Sequence, residues 1–376
     1  MILSIDGYEA NSGNRVGVGR FAYEMLIGIE RKLKHGDSQF TKARVYMPDK
    51  PTDDLPSASA VWEYSVGKPK KLWTFIGLPW LLYRDAPIAD VVFSPTHYIP
   101  RFTNIPRVCA IMDVSYLHYP EMFDTLDLYQ LTKWTEYSVR HAKKVITISE
   151  YSKHAIMEAY SIASERIVVV YPGMSMSLLE QKPQKSSHLT RFGIRAPYIL
   201  SVGTLQPRKN FVRLIEAFSL LEDKNIALVI VGKKGWMYEE ILAAPSAYEV
   251  KDRVKILDFV TDDDLSTLYT HAQCFVLPSL YEGFGLPVLE AMAHECSIVV
   301  SNVSSVPEIS GDAAIYVDPL SVSSICEGIT KALFEHGTSQ EKERLAIGKK
   351  RVSLFSWDTA AKQVVSILEE VGKKSK

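Results

Sequence analysis

The chain has 376 residues, of which 47% are hydrophobic and 23% charged. That is the balance of a folded protein, and the length exceeds one ordinary core, so two domains are expected. Lys and Arg number 43 against 44 Asp and Glu, a formal net charge of -1, which excludes a global positive field for nucleic acid or anionic lipid.

Ile2–Ile5 reads as the first strand. It meets an acid at Asp6 and lacks a basic flank, so it is not a signal peptide. The next loop holds Gly17-x-Gly19-x-x-Ala22, superficially a dinucleotide fingerprint. About ten residues separate it from its strand, whereas that fingerprint follows its strand at once. It reads instead as a loop entering a helix whose N-terminus could touch a phosphate from the opposite domain.

Further strands are expected at Arg44–Met47, Val91–Phe93, Val108–Met112, Val145–Ile148 and Ile167–Val170. Between them, Lys68–Arg84 is basic at its start and aromatic after. Its nearly apolar part, Leu72–Tyr83, is 12 residues with Gly77 and Pro79 inside, short of the roughly 20 that span a bilayer. The pattern favours a core-facing helix with a solvated lysine cluster. The other reading is a contact with a membrane surface or lipid-linked acceptor. Residues 181–191 are polar with one Pro and read as a linker.

Six more strands follow at Tyr198–Val202, Ala227–Val231, Val254–Leu257, Cys274–Leu277, Ile298–Val300 and Ala314–Val317. Each run is apolar on both faces, as in buried parallel strands covered by helices. Alternation with helices gives an α/β fold of two doubly wound, Rossmann-like parallel sheets. Trp357–Val371 is an amphipathic helix past the last strand. Cys109, Cys274, Cys296 and Cys326 have no C-x-x-C spacing, which argues against zinc ribbons and redox dithiols. The chain reads as cytoplasmic and not membrane-spanning.

The most informative stretch is Pro278–Ala293 (P-S-L-Y-E-G-F-G-L-P-V-L-E-A-M-A). A strand feeds a loop with Gly283 and Gly285, and Pro287 then opens a helix, where its missing N–H costs nothing. The glycines permit close backbone approach and positive φ. The helix start offers unpaired N–H groups and a dipole that attract anions. Glu282 and Glu290 suit hydroxyls of a sugar and a ribose. Glu290 has apolar neighbours Val288, Leu289, Ala291 and Met292, so it is expected to be buried with a partner. A second stretch, Ser201–Phe211, places Arg208 and Lys209 after a strand, where adjacent cations can neutralise a diphosphate. Asp262, Asp263 and Asp264 follow Thr261 and read as a capped helix start rather than a metal site.

Together these residues resemble the retaining family-four glycosyltransferases with the GT-B fold. The matching pieces are residues 17–21, 113–121, 145–152, 169–173, 201–210, 231–236, 278–293, 301–308 and 355–357, and they lie in the family's order. Glu282 and Glu290 form the family's E-x7-E pair. The resemblance implies an acceptor-binding domain over 1–180 and a nucleotide-sugar-binding domain over 190–356, facing across a cleft. A helix over 357–376 would cross back to the first domain.

By the same resemblance, Arg208 and Lys209 would bind the donor diphosphate and Glu290 the ribose. Glu282 and the amides of Gly283, Phe284, Gly285 and Leu286 would hold sugar and phosphate. Gly17 would reach the phosphate, and the base would rest near Phe259 and Val260. The family often reads His-Asp where this chain has Met112-Asp113, which leaves the acceptor side to Asp113, His118 or His97. The family's Cys-Gly-x-Pro after the E-x7-E helix is here His294-Glu295-Cys296-Ser297.

The reaction implied is transfer of a hexosyl unit, of glucose or mannose type, from a UDP- or GDP-sugar to a glycan or lipid-linked hydroxyl, with retention. Arg208, Lys209 and the helix start can carry the leaving-group charge, so no cofactor and no obligatory metal are expected. Two rivals are a nucleotide-sugar epimerase and a non-catalytic sugar-nucleotide-binding subunit. Glu282→Ala and Lys209→Ala are each expected to lower turnover at least tenfold with the fold intact.

Overall fold

Short runs of Val, Ile and Leu, too short for helices and apolar on both faces, form the strands. In the computed structural model, which describes every residue except 14, 16, 175–177, 179–182, 196 and 374–376, the strands form two sheets. The chain divides into two units. The first comprises Met1–Pro120, Asp124–Gly173 and Ser356–Lys376, and the second Glu121–Phe123 and Met174–Phe355.

The first unit holds a seven-stranded sheet, ordered β3-β2-β1-β4-β5-β6-β7. Its strands are β1 (Ile2–Asp6), β2 (Lys42–Met47), β3 (Trp62–Val66), β4 (Val91–Ser94), β5 (Arg107–Ala110), β6 (Lys144–Thr147) and β7 (Ile167–Val169). Every pairing is parallel. β5 stops at Ala110, before Ile111 and Met112 of the expected run. β3 is absent from the sequence-based expectation because W-E-Y-S-V mixes aromatic and polar residues. It occupies the sheet edge, where one side needs no apolar run.

The second unit holds a six-stranded parallel sheet, ordered β10-β9-β8-β11-β12-β13. These strands are β8 (Tyr198–Val202), β9 (Ala227–Val231), β10 (Val254–Leu257), β11 (Cys274–Leu277), β12 (Ile298–Ser301) and β13 (Ala314–Val317). In both sheets the chain winds outward, returns to the middle and winds the other way, which is the doubly wound arrangement. Leu228, Ile230, Val276 and Val299 pack with Phe211, Leu214 and Phe218 of the helix Phe211–Ser219 and with Ile325 and Ile329 of the helix Val322–Phe334.

The helix Val18–Lys34 buries Phe21, Met25, Leu26, Ile29 and Leu33, three and four residues apart, as one apolar face demands. Against it lies the helix Trp357–Lys373, which buries Ala360, Ala361, Val364, Val365 and Leu368. Gly28 permits the contact, since a Cβ there would stand 2.4 Å from the Ala361 Cβ. Phe21 and Trp357 meet edge to face with centroids 6.0 Å apart.

Lys68–Arg84 contains a π-helical turn, Trp73–Gly77, followed by the α-helix Leu78–Arg84. Trp73, Leu78, Leu81 and Leu82 are buried, so the core-facing reading holds for one face. Ile76, Trp80 and Tyr83 recur at helical spacing on the other face and are exposed, Tyr83 by 91%. Lys68 and Lys70 both pair with Asp49, at 2.9 and 2.8 Å.

The linker expectation for 181–191 needs correction. Residues 181 and 182 lie outside the described residues, but Ser186–Phe192 is a 3-10 helix with Leu189 buried. Arg191 and His188 bind Asp264, which gives this polar stretch a reason to be ordered. Among the described residues, no helix is long and apolar enough to cross a membrane.

Filling the space at Gly28 forces two helices apart. Gly28→Val is expected to cost roughly 1–3 kcal/mol, read as a lowered urea midpoint with unchanged slope.

Candidate functional site

β8 and β11 are neighbours in the second sheet, although β9, β10 and the helices between them separate the two along the chain. The winding direction reverses there, so the loops leaving their carboxyl ends diverge to opposite faces and open a crevice. The loop after β8 makes a 3-10 turn at Pro207–Lys209, and Asn210 then takes φ +62° before the helix Phe211–Ser219. Asn tolerates this left-handed conformation better than most residues. Its Nδ2 donates to the carbonyls of Pro278 (2.9 Å) and Pro319 (2.7 Å). The Leu280 N–H donates to the Arg208 carbonyl at 2.9 Å. The loops after β8 and β11 are therefore hydrogen-bonded to each other.

The loop after β11 ends at Gly285, whose φ of +99° turns the chain into the helix Leu286–Ala293. No side chain caps that start, and Pro287 sits in its first turn. Pro287 has no N–H and the Val288 N–H donates to the Gly285 carbonyl at 2.9 Å, so the Leu286 N–H is the one that meets no carbonyl of its own helix. Phe284 is buried and meets Phe355 edge to face at 5.4 Å.

A buried ion cluster joins the two loops. Lys209 Nζ donates to Glu282 Oε1 at 2.6 Å, and Arg208 Nη1 lies 3.4 Å from Oε2. Ser279 Oγ donates to Oε1 at 2.6 Å. Arg208 also binds the Tyr281 carbonyl. The Glu282 backbone is clamped as well: its N–H donates to Ser304 Oγ at 2.9 Å, and its carbonyl accepts from Ser305 Oγ at 2.8 Å. Glu282 is 5% exposed and Lys209 7%. Burial alone would raise the Glu282 carboxyl. The charges of Lys209 and Arg208, with hydrogen bonds from Lys209 and Ser279, outweigh it and hold the group below its ordinary value.

Glu290 is half-buried rather than buried, because it sits at the side of its short helix while Val288, Leu289, Ala291 and Met292 take the core. The expected partner exists: Tyr269, fully buried, donates its hydroxyl to Glu290 Oε2 at 2.9 Å. Burial and the Glu290 charge push the Tyr269 phenol well up, so it stays a donor. His294 stacks on Tyr269 at 5.4 Å, and its ring nitrogens meet the Glu290 carbonyl (2.8 Å) and Ser266 Oγ (3.0 Å). Glu295, which stands at the family's usual glycine, takes φ +52°.

Phe259 and Val260 follow β10, with Phe259 exposed by 66% and Val260 buried. Lys233 Nζ lies 4.9 Å above the Phe259 ring. Thr261 caps the helix Asp262–His271 by accepting from the Asp264 N–H at 3.3 Å, so the acidic triplet is a helix start.

Gly17, Asp113, His118 and His97 belong to the first unit. Gly17, at φ +52°, precedes the helix Val18–Lys34. Asp113 Oδ1 accepts from the Ser115 N–H at 2.9 Å, and His118 is exposed at the end of the helix Ser115–His118. His97 Nε2 accepts from the Met112 N–H at 3.4 Å. Burial lowers the His97 imidazole, opposed by the charge of Asp113. Asp6, at the carboxyl end of β1, accepts from Trp73 Nε1 (2.9 Å) and the Tyr8 N–H (3.1 Å), and burial pushes its carboxyl up to about 6.

Sequence reasoning missed Asn210, Tyr269, Ser279, Ser304 and Ser305. Asn210 had a signal, since Asn between a turn and a helix suits a left-handed residue. Tyr269 had none, because its partner is 21 residues away in sequence.

The family model for glycosyl transferases group 1 matches residues 190–351. The O-antigen chain mannosyltransferase B of Escherichia coli is 30% identical over 282 residues, 73% of each chain. Among solved structures, the sucrose-phosphate synthase of Thermosynechococcus elongatus superposes with a TM-score of 0.76 at 16% identity, covering 99% of each chain. WaaG, a glycosyltransferase of lipopolysaccharide biosynthesis, superposes with a TM-score of 0.73 at 17% identity, covering 98% of this chain and 99% of its own.

The buried pair changes one expectation: Glu282→Ala does not leave stability untouched, because it strands the Lys209 charge. It is expected to cost about 3–5 kcal/mol, measured by urea unfolding. A depressed carboxyl stabilises above its unfolded value and loses that contribution as pH falls through the folded one. The gap between wild type and Glu282→Gln is therefore wide at neutral pH and narrows as pH drops below the ordinary 4.5.

Proposed function

The chain belongs to the family-four glycosyltransferases of the GT-B fold, the glycosyl transferases group 1, and from that premise we propose that it transfers a mannosyl unit from a nucleotide-diphosphate sugar to a saccharide hydroxyl with retained configuration. The observation that carries this reading is the buried Lys209–Glu282 pair at the carboxyl edge of β8 and β11. A lysine there is already desolvated and fixed, so it can meet diphosphate charge with little reorganisation. Arg208 adds a second cation on the same loop.

In this reading the amides of Gly283, Phe284, Gly285 and Leu286 hold phosphate and sugar. Glu282 orients the cations and accepts from a sugar hydroxyl. Glu290, half-buried and fixed by Tyr269, accepts from the ribose. Exposed Phe259 beside buried Val260 offers a face for the base. Gly17 contributes to the donor phosphates, and Asp113 or His118 to the acceptor. The departing phosphate oxygen takes the acceptor's proton, and charge on the leaving group is met by side chains without a metal. The mannosyl choice draws on the Escherichia coli relative.

The acceptor is a growing glycan or a lipid-linked saccharide at the cytoplasmic membrane face. Exposed Ile76, Trp80 and Tyr83 with Lys71 and Arg84 beside them favour peripheral contact of the first unit, since amphipathic aromatics and cations settle at such interfaces.

The test is incubation with GDP-mannose, UDP-glucose and saccharide acceptors, following nucleotide release and the anomer formed. Release that requires acceptor, with an α-linked product from an α-donor, supports the reading. An altered donor sugar without release indicates an epimerase, and binding without turnover a carrier. Glu282→Gln and Lys209→Met are each expected to lower kcat/KM at least tenfold, a loss of about 1.4 kcal/mol or more. Wild-type turnover in both would remove these residues from the site.

A further inference from the structure

The opposite edge of the first sheet carries a second concavity, of about 940 Å³. It is lined by the residues that precede β4, β5, β6 and β7, so it lies at the strands' amino ends, away from the edge where doubly wound sheets open their usual crevice. Arg107, Arg140, Lys143 and Arg166 line it together with one carboxylate, Asp90. This is a local excess of positive charge on a chain whose net charge is -1.

The partners of these groups leave that excess in place. Asp90 Oδ2 accepts from the Ile2 N–H at 2.7 Å. Arg140 is paired with Glu136 at 3.0 Å. Among the described residues, no carboxylate lies within ion-pairing distance of Arg107, Lys143 or Arg166. Arg107 donates from Nη1 to the Pro100 carbonyl at 2.9 Å, yet its Nε is buried without a hydrogen-bond partner. An unmade bond from a buried charged donor is costly. Arg166 Nη2 binds the carbonyls of Val139 (2.7 Å), Arg140 (3.1 Å) and Ala142 (2.6 Å). It thereby covers the negative end of the helix Thr125–His141, which would otherwise repel an anion.

We propose that this concavity binds a phosphate-bearing ligand, a phosphate ester or diphosphate, at a site separate from the donor site. Guanidinium groups match phosphate oxygens two at a time, and the unpaired cations suit a multiply charged anion better than a single carboxylate. Thr103 and Asn104 on the rim supply neutral donors. The volume suits a ligand the size of a sugar phosphate or a lipid phosphate headgroup.

The test titrates the whole protein with inorganic pyrophosphate at low ionic strength by calorimetry. It also sediments the protein with vesicles of equimolar phosphatidylcholine and phosphatidylglycerol. Arg140 and Lys143 are exposed, so Arg140→Glu and Lys143→Glu should fold. Each is expected to weaken binding at least tenfold while sugar transfer stays at the wild-type rate; reversal of an exposed lysine of the second unit, Lys251→Glu, leaves binding unchanged. Uptake of pyrophosphate identifies a soluble phosphate as the source; sedimentation without pyrophosphate uptake identifies a headgroup. Pyrophosphate held only in the donor site survives both reversals and, like no binding at all, overturns the proposal. Because transfer is measured separately, failure here leaves the transferase reading standing.

Discussion

A single carboxylate organises the second unit. Glu282 has one side on Lys209 and Arg208 from the loop after β8 and its backbone on Ser304 and Ser305 from the loop after β12. Burying Glu282 and Lys209, with Arg208 part-buried beside them, is expensive unless each has partners, and here the partners come from separate stretches of chain. The interaction thus does two things at once. It locks the loops at the carboxyl edge into one arrangement, and it keeps Lys209 desolvated with part-buried Arg208 held beside it. An exposed lysine would keep its hydration shell, and Lys209, 7% exposed, has shed most of it during folding.

The strand order explains why that edge is available. In each sheet the chain starts in the middle, moves one way, returns and moves the other way. Right-handed crossovers made in the two directions therefore cover opposite faces, and the two central loops leave the sheet toward opposite sides. The sheet interiors are mostly Val, Ile and Leu, with Phe93, Cys109, Cys274 and Phe275 among them, which is what permits the inner strands to be covered on both faces. Chemistry is confined to the ends of the strands, where the backbone must turn and polar residues are tolerated. The first unit follows the same rule at Asp6, buried at the end of β1 with the Trp73 indole on its carboxylate.

The legible part of the fold was the part written in local pattern. Twelve aliphatic runs named their strands because burial on both faces demands such residues, and the one strand left out, Trp62–Val66, is an edge strand with mixed character. The glycine loop and the Arg208–Lys209 pair stood out because each sits directly after a strand. What lay hidden was long-range. Nothing near Glu282 in sequence says that it is buried against Lys209, 73 residues away, and nothing near Glu290 points to Tyr269. Residues 186–191 looked like linker because their ordering depends on Asp264, far along the chain. Local composition reports what a segment prefers; only the assembled sheet reports what it meets.

Gly232 carries the last consequence. A methyl group there would fall 1.9 Å from the Gly203 carbonyl oxygen, and at Gly235 one would fall 2.8 Å from that of Leu205. At Gly235 the Thr204 methyl shares the contact at 2.8 Å, but at Gly232 main chain rests directly on main chain. Such a contact has no adjustable part: it does not shrink, rotate or repack as a neighbour is exchanged. Substitutions elsewhere in the crevice can reshape its walls while the height of Arg208 and Lys209 above the sheet stays put, a division between fixed foundation and variable lining.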